Sequence, residues 1–129
     1  MAWEIPTLTF TLEAAADLSA KQYYFVKVDS NGKAAVCAAT TDKPVGVLQN
    51  KPKQGQEAQI MALGITKVSS DAALNEGDLI GTSADGQADA KVPGTDTTEY
   101  VVGQVLTATT AAGGLATALI NCCNPHRAA

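Results

Sequence analysis

The 129-residue sequence has little of what most enzymes and nucleic-acid-binding proteins need. Its single histidine, His126, leaves only one position for the commonest general base at neutral pH. Charged residues make up 17% of the chain, the net charge is −4, and Arg127 is the one arginine. Nucleic-acid binders neutralise phosphates with Lys and Arg, so the sequence predicts no nucleic-acid partner. Aromatic residues are 5%, which predicts a core of Ala, Val, Leu and Ile.

Sequence motifs that carry catalysis or hold metals are also missing. The chain has no Gly-x-Ser-x-Gly nucleophile motif, no phosphate-binding P-loop and no Gly-x-Gly-x-x-Gly fingerprint. Its cysteines lack the Cys-x-x-Cys spacing and the nearby histidines of a zinc site. We therefore predict that the protein is not an enzyme and that it uses no cofactor and no metal ion.

The cysteines do not form a disulfide framework, because there are three and two of them are adjacent. We expect buried thiols in a reducing compartment, and a single bridge from Cys37 to Cys122 or Cys123 is the alternative. The uncharged stretch 100–123 contains Gln104 and a Gly pair, which make it too polar for a spanning helix. The sequence therefore predicts no membrane partner, and its first residues do not resemble a signal peptide.

Short runs rich in Val, Ile and Thr alternate with glycine-containing turns along the chain. Asn-Gly and Asp-Gly are the dipeptides most favoured in tight hairpins, since both residues accept a positive φ. Helix signals are weak and are confined to 12–20 and 71–74. Regularly spaced short strands predict an all-β fold, a compact β-barrel or sandwich of about eight or nine strands. The turn positions predicted to be structural are Asn31, Gly32, Gly46, Gly77, Asp85, Gly86 and Gly103.

The spacing of these turns predicts an internal repeat. Gly32 and Gly86 are 54 residues apart, and Gly46 and Gly103 are 57 residues apart. Each copy is too small to bury its own apolar side, so two copies are expected to pack on each other. We predict an N-terminal arm over 1–16, one β domain over 17–123 with pseudo-repeats 17–70 and 71–123, and a tail over 124–129.

The N-terminal arm alternates polar and apolar residues over 7–12, as a strand with one buried face does. Two arrangements satisfy this pattern. The arm adds an edge strand to its own sheet, or it reaches onto a neighbouring chain by strand addition. In the second arrangement the residues that contact a capsid or a neighbour are Trp3, Ile5, Leu8, Phe10 and Leu12.

The glycine-based motifs between Leu18 and Ile120 resemble those of a known protein family. They are Phe25-Val-Lys-Val28, Asn31-Gly-Lys33, Lys43-Pro-Val-Gly-Val47, Gly55-Gln-Glu-Ala58, Ala73-Leu-Asn-Glu-Gly-Asp-Leu-Ile80, Asp85-Gly86 and Val102-Gly-Gln-Val105. The chain resembles the small capsid cement or decoration proteins of tailed bacteriophages. The Cys122-Cys123-Asn-Pro-His segment departs from that pattern, and no role follows for it.

The resemblance implies a structural virion protein. It would be made in the host cytoplasm, bind the outside of the assembled lattice and stabilise the head. Its partners would be the major capsid protein and neighbouring copies of itself, with local three-fold lattice positions favouring a trimer. The alternative function is a β-barrel module of a phage tail or fibre that binds host-surface glycans.

Overall fold

The computed structural model describes residues 3–129, and within that range the chain forms eleven β-strands and no helix. The all-β prediction is therefore confirmed. No helix of the described range is long and apolar enough to cross a membrane. The strands are β1 (Ile5–Glu13), β2 (Phe25–Val28), β3 (Ala34–Val36), β4 (Gly46–Leu48), β5 (Glu57–Ser69), β6 (Leu79–Thr82), β7 (Ala88–Ala90), β8 (Tyr100–Val101), β9 (Gly103–Thr107), β10 (Leu115–Asn121) and β11 (His126–Arg127).

Nine of these strands form one antiparallel sheet. Its order is β3-β2-β4-β5-β10-β9-β6-β7, and β1 pairs with β5 beside this path. The remaining two strands, β8 and β11, pair with each other as a small ribbon. The C-terminal tail therefore contributes a strand, which the sequence did not predict.

The two hairpins turn at the predicted Asn-Gly and Asp-Gly dipeptides. In the β2–β3 hairpin Asp29 donates its N–H to Lys33 O, so three residues lie inside the loop instead of the two that such dipeptides favour. The Asp29 carboxylate accepts the N–H groups of Asn31 and Lys33 and thereby fixes the turn. Gly32 adopts a φ of +75°, which a residue without Cβ accepts at low cost.

The second hairpin bends the sheet back on itself. Gly86, at its tip, accepts the Phe25 N–H at 2.7 Å, so the β6–β7 hairpin reaches β2 at the far side of the sheet. A Cβ on Gly86 would lie 3.2 Å from the carbonyl oxygens of both Phe25 and Cys37. Glycine at this position therefore permits the contact that brings the two ends of the curled sheet together.

Strand β5 is continuous where the sequence predicts two strands separated at Gly64. Gly64 stays within the strand at a φ of +140°, and a Cβ there would lie 2.6 Å from Ile5 O. Ile60 and Val68 are separated by an even number of residues, yet they pack in different cores. Because side chains alternate along a strand, β5 must change faces between these residues, as it does at a bulge.

The two parts of the chain repeat one pattern of backbone hydrogen bonds, with β5 belonging to both. We call β1 to the first part of β5 the N-half and the second part of β5 to β10 the C-half. The counterpart of Gly55 is Gly113, which shares its positive φ, and not Gly114 as the sequence spacing indicates. The equivalent bonds, donor to acceptor, are Ala14 to Gln56 and Ser70 to Gly114, Leu18 to Pro52 and Leu74 to Thr109, Tyr23 to Leu48 and Gly77 to Val105, Val45 to Val26 and Val102 to Ile80, and Gly55 to Ala14 and Gly113 to Ser70.

Strand β1 also takes part in this repetition. Glu13 faces Glu57 between β1 and β5, and Ser69 faces Leu115 between β5 and β10. The first strand of the N-half thus corresponds to the second part of β5. The repeated unit begins at β1, whereas the sequence analysis places residues 1–16 outside both copies.

Buried apolar residues form two cores on opposite sides of the sheet. The first core, on the concave side, includes Phe25, Val47 and Met61 of the N-half together with Ile80, Val105 and Ala118 of the C-half. The second core lies behind the N-half alone. Its members are Ala14, Leu18, Val26, Ala34, Leu48, Ala58 and Ile60, with Phe10, Leu12, Val36 and Val45 packed against them.

Candidate functional site

The side of the C-half opposite the first core carries a row of apolar side chains. Leu119 on β10 is directly opposite Ile65 on β5, and Ile5 on β1 is opposite Ile65 from the other edge. Residues that face each other across antiparallel strands point to the same side of the sheet. We call this side of the C-half the open face. Its exposed large apolar side chains are Trp3, Ile5, Leu8, Leu115 and Leu119.

The chain's own N-terminus lies on the open face. Trp3 donates its backbone N–H to Thr117 Oγ1 at 3.0 Å, although the next strand, β1, pairs with β5 and not with β10. The segment before β1 therefore crosses over β5 to reach β10. Thr117 is fully buried, while 38% of Trp3 stays exposed.

The five residues predicted to contact a partner divide into two groups. Phe10 and Leu12 are half-buried against the second core of their own chain. Trp3, Ile5 and Leu8 are exposed. Of the two arrangements that the sequence allows, the structure shows an edge strand paired within its own sheet. Three of its apolar side chains remain available to a partner.

Leu115 and Leu119 belong to the same surface, and the sequence analysis did not single them out. They lie at alternate positions of β10, whose other face carries Ala116, Ala118 and Ile120 in the first core. A strand that is apolar at both sets of alternate positions is the signal for two covered faces. That pattern is present in the predicted strand 115–122.

A shallow groove of about 190 Å³ borders the open face where the β8–β11 ribbon meets the sheet. Val101 and His126 face each other in the ribbon and both line the groove. On the other face of the ribbon, Lys43 and Arg127 lie over the Tyr100 ring, 5.5 and 5.9 Å from its centroid. Arg127 lowers the pKa of the Tyr100 phenol by a hydrogen bond, and Lys43 adds to this effect.

A larger cavity of about 350 Å³ lies in the N-half between β1, β5 and the residue that follows β4. Its lining is polar and uncharged apart from the ring of Phe10. We call it the polar cavity. Its lining residues are Thr9, Phe10, Thr11, Gln49 and Gln59.

One buried cation lies outside these surfaces. The Lys91 side chain has no exposed area and contacts the carboxylates of Asp89 and Glu99. It also donates to the carbonyl oxygen of Thr82 at 2.9 Å. A buried ammonium needs such partners because an unpaired charge in the interior is very costly. These contacts explain Lys91 as a structural group.

All three cysteines are free thiols. Cys37 and Cys122 are buried in the first core, and burial raises the pKa of each thiol to about 12. Cys123 is exposed. No group of three or more His, Cys, Asp or Glu side chains within residues 3–129 is arranged to hold a metal ion.

The predicted turn residues occupy two kinds of position. Gly32, Gly77 and Gly86 have positive φ values in turns, with Asn31 and Asp85 beside two of them. Gly46 and Gly103 are instead strand residues at equivalent places, opposite Val26 and Ile80. A Cβ on Gly46 would lie 2.5 Å from Met61 O, and one on Gly103 would lie 2.6 Å from Leu119 O. Both are required by close strand packing.

The fold is similar to that of a known virion component. A solved structure of the head fibre gp8.5 N base of bacteriophage phi29 superposes with a TM-score of 0.64 and 20% sequence identity. The alignment covers 89% of this chain and 94% of that chain. No protein-family model matches the sequence, and no curated protein is similar to it in sequence.

Proposed function

We propose that this chain is a structural protein of a tailed-bacteriophage virion, which binds the outside of the assembled capsid and stabilises the head. The observation that carries the proposal is the open face, where Leu115 and Leu119 extend the exposed apolar surface begun by the N-terminal arm. Contiguous apolar surface of this kind is typical of protein–protein contact sites. The fold shared with a phage head fibre base supports the same class of protein.

The mechanism requires binding and no chemistry. A protein that binds the assembled lattice and not its separated subunits stabilises that lattice by mass action. When one copy contacts two or more capsomers, modest individual contacts combine into a large effect. In this proposal the open face contacts the major capsid protein, and neighbouring copies of this chain occupy adjacent lattice positions. The net charge of −4 disfavours contact with the packaged nucleic acid.

Co-sedimentation with purified heads that lack the protein tests this proposal. The decisive variant is Leu119→Glu, which places a charge at the centre of the open face. The matched control is Val28→Glu, because Val28 is 48% exposed and Leu119 is 46% exposed, but Val28 lies on β2 of the N-half. We expect the wild type and the control to bind heads and Leu119→Glu to lose at least about tenfold in affinity. Circular dichroism verifies that both variants remain folded.

Two results would contradict the proposal. If the wild-type protein does not sediment with heads, the capsid is not its partner. If Leu119→Glu binds as well as Val28→Glu, attachment does not use the open face.

A module of a fibre that binds host-surface glycans is the second candidate, and the name of the structural neighbour, a head fibre base, favours it. Copy number separates the two functions. A decoration protein occupies lattice positions in hundreds of copies, whereas a fibre module is present in tens or fewer. Quantitative gel analysis of purified virions measures this number.

A further inference from the structure

The polar cavity has a counterpart in the C-half. Thr11 faces Gln59 across β1 and β5, and the equivalent pair across β5 and β10 is Lys67 and Thr117. Gln49 donates its N–H to Gln59 O, and Thr107 faces Thr117 in the same way. The cavity and the part of the open face around Thr117 are therefore two versions of one site.

In the C-half this site is occupied by the N-terminal segment of the chain. The Trp3 N–H donates to Thr117 Oγ1 at 3.0 Å, and the segment covers Thr117 completely. The occupant is thus extended peptide that carries an aromatic side chain. It is held by a backbone hydrogen bond to a side chain of the sheet.

In the N-half the equivalent site retains unused hydrogen-bonding groups. No hydrogen bond among residues 3–129 involves the Thr9 or Thr11 hydroxyl or the Gln59 carboxamide. Gln49 is different, because its carboxamide bonds to Val47 O and to the buried Thr66 hydroxyl, and it is therefore fixed in the cavity wall. Three free polar groups and the Phe10 ring thus surround an uncharged cavity of about 350 Å³.

We propose that the polar cavity binds an extended peptide segment with an aromatic side chain, in the way that Trp3 occupies the equivalent site. The aromatic side chain packs against Phe10, and backbone groups of the segment bond to Thr11 and Gln59. The uncharged lining selects for a segment without charge at this point. The segment belongs to the protein on which the chain docks, and in that respect the inference rests on the proposed function.

A peptide with the sequence of residues 3–8, WEIPTL, blocked at both ends, is the probe. Titration into the ¹⁵N-labelled full-length protein, followed by NMR, should shift the Thr9 and Thr11 amide signals and the Gln59 side-chain signals. The double variant Thr11→Val/Gln59→Leu should bind the peptide about tenfold more weakly, because two hydrogen bonds are lost. Gln54→Leu, an exposed glutamine outside the cavity lining, should bind as the wild type does. The peptide AEIPTL tests the need for the aromatic side chain and should bind more weakly.

Several outcomes overturn the inference. One is the absence of shifts at the cavity, and another is equal binding by the double variant and the wild type. Shifts at Thr107 and Thr117 instead would show that the peptide only displaces Trp3. Saturation of the cavity signals by neutral monosaccharides but not by the peptide would identify a glycan site.

The test remains separate from that of the proposed function because it uses no heads. In parallel, the double variant is co-sedimented with heads and should bind less than Gln54→Leu does. If the wild type binds heads and the double variant binds equally well, the cavity is not used in docking and this inference fails alone. If the wild type does not bind heads while the peptide still binds the cavity, the proposed function fails and the peptide site stands.

Discussion

The N-half and the C-half share one backbone pattern but bury it differently. In the N-half, neighbouring residues of β2, β4 and β5 alternate between the first core and the second core, so both faces of the sheet are covered. In the C-half only one face is covered. Met61 of the N-half is 2% exposed, whereas its counterpart Leu119 is 46% exposed. Two copies of one plan thus allow one copy to stabilise the fold while the other keeps a face for binding.

The difference extends to a pair of buried residues. Cys37 donates its N–H to Phe25 O, and Lys91 donates its N–H to Leu79 O at the equivalent place. The thiol lies in an apolar core, whereas the ammonium is held by two carboxylates. The same backbone site accepts either an apolar group or a charge, provided that the charge is fully paired.

The largest effect is expected when the buried charge is removed. Lys91→Met should lower the free energy of unfolding by about 3–5 kcal/mol, because it leaves the Glu99 carboxylate without its cation. Cys37→Ala, at the equivalent site, should cost only about 1 kcal/mol. Urea denaturation measures both values. The double variant Lys91→Met/Glu99→Gln should recover part of the loss. Similar losses at the two sites would mean that they do not differ as described.

A second comparison tests the difference in burial between Met61 and Leu119. Met61→Ala should lower the free energy of unfolding by about 2–5 kcal/mol, because it removes a fully buried side chain from the first core. Leu119→Ala should change it by less than about 0.5 kcal/mol, as surface substitutions usually do. Thermal and urea unfolding of the isolated protein provide the comparison. A large loss for Leu119→Ala would mean that the open face is covered in the free protein.

The smallest effect near neutral pH concerns the thiols. At pH 8 the exposed Cys123 should react quickly with a disulfide reagent, and Cys37 and Cys122 should react only after unfolding. Burial raises the pKa of both buried thiols to about 12, so the folded protein holds these protons more tightly than the unfolded chain, whose thiols titrate near 8.5. Stability from these groups is present below about pH 8.5 and is lost as the pH rises towards 12.

Unfolding measurements at pH 8 and pH 10 test that direction. The double variant Cys37→Ala/Cys122→Ala should lose less stability over this interval than Cys123→Ala does. Equal losses, or three thiols that react quickly in the folded protein, would contradict the assigned burial.

Much of the fold was predictable because local signals and tertiary structure agree. The run 45–49 contains β4 (Gly46–Leu48), and the Asn-Gly and Asp-Gly dipeptides mark both hairpins. The weak helix signals over 12–20 and 71–74 were not followed by helices, since backbone hydrogen bonds from Leu18 and Leu74 go to distant parts of the chain. Strand β11 was missed because its partner, β8, lies far away in sequence.

The open face was only partly predictable. The arm residues Trp3, Ile5 and Leu8 followed from an alternating pattern, but Leu119 became part of the same surface only through its register with β5. Sequence spacing also gave no indication that β1 and the second part of β5 are equivalent, because the two segments have different residues. Register and bulges depend on contacts between distant strands, which a local pattern does not contain.

The double membership of β5 has a consequence for attempts to divide the protein. A cut anywhere between Glu57 and Ser69 leaves each fragment without part of a strand that it needs, so neither half can be produced as a self-sufficient domain. Proteolytic nicking of this strand would expose both cores at once, and unfolding should therefore proceed as a single cooperative transition.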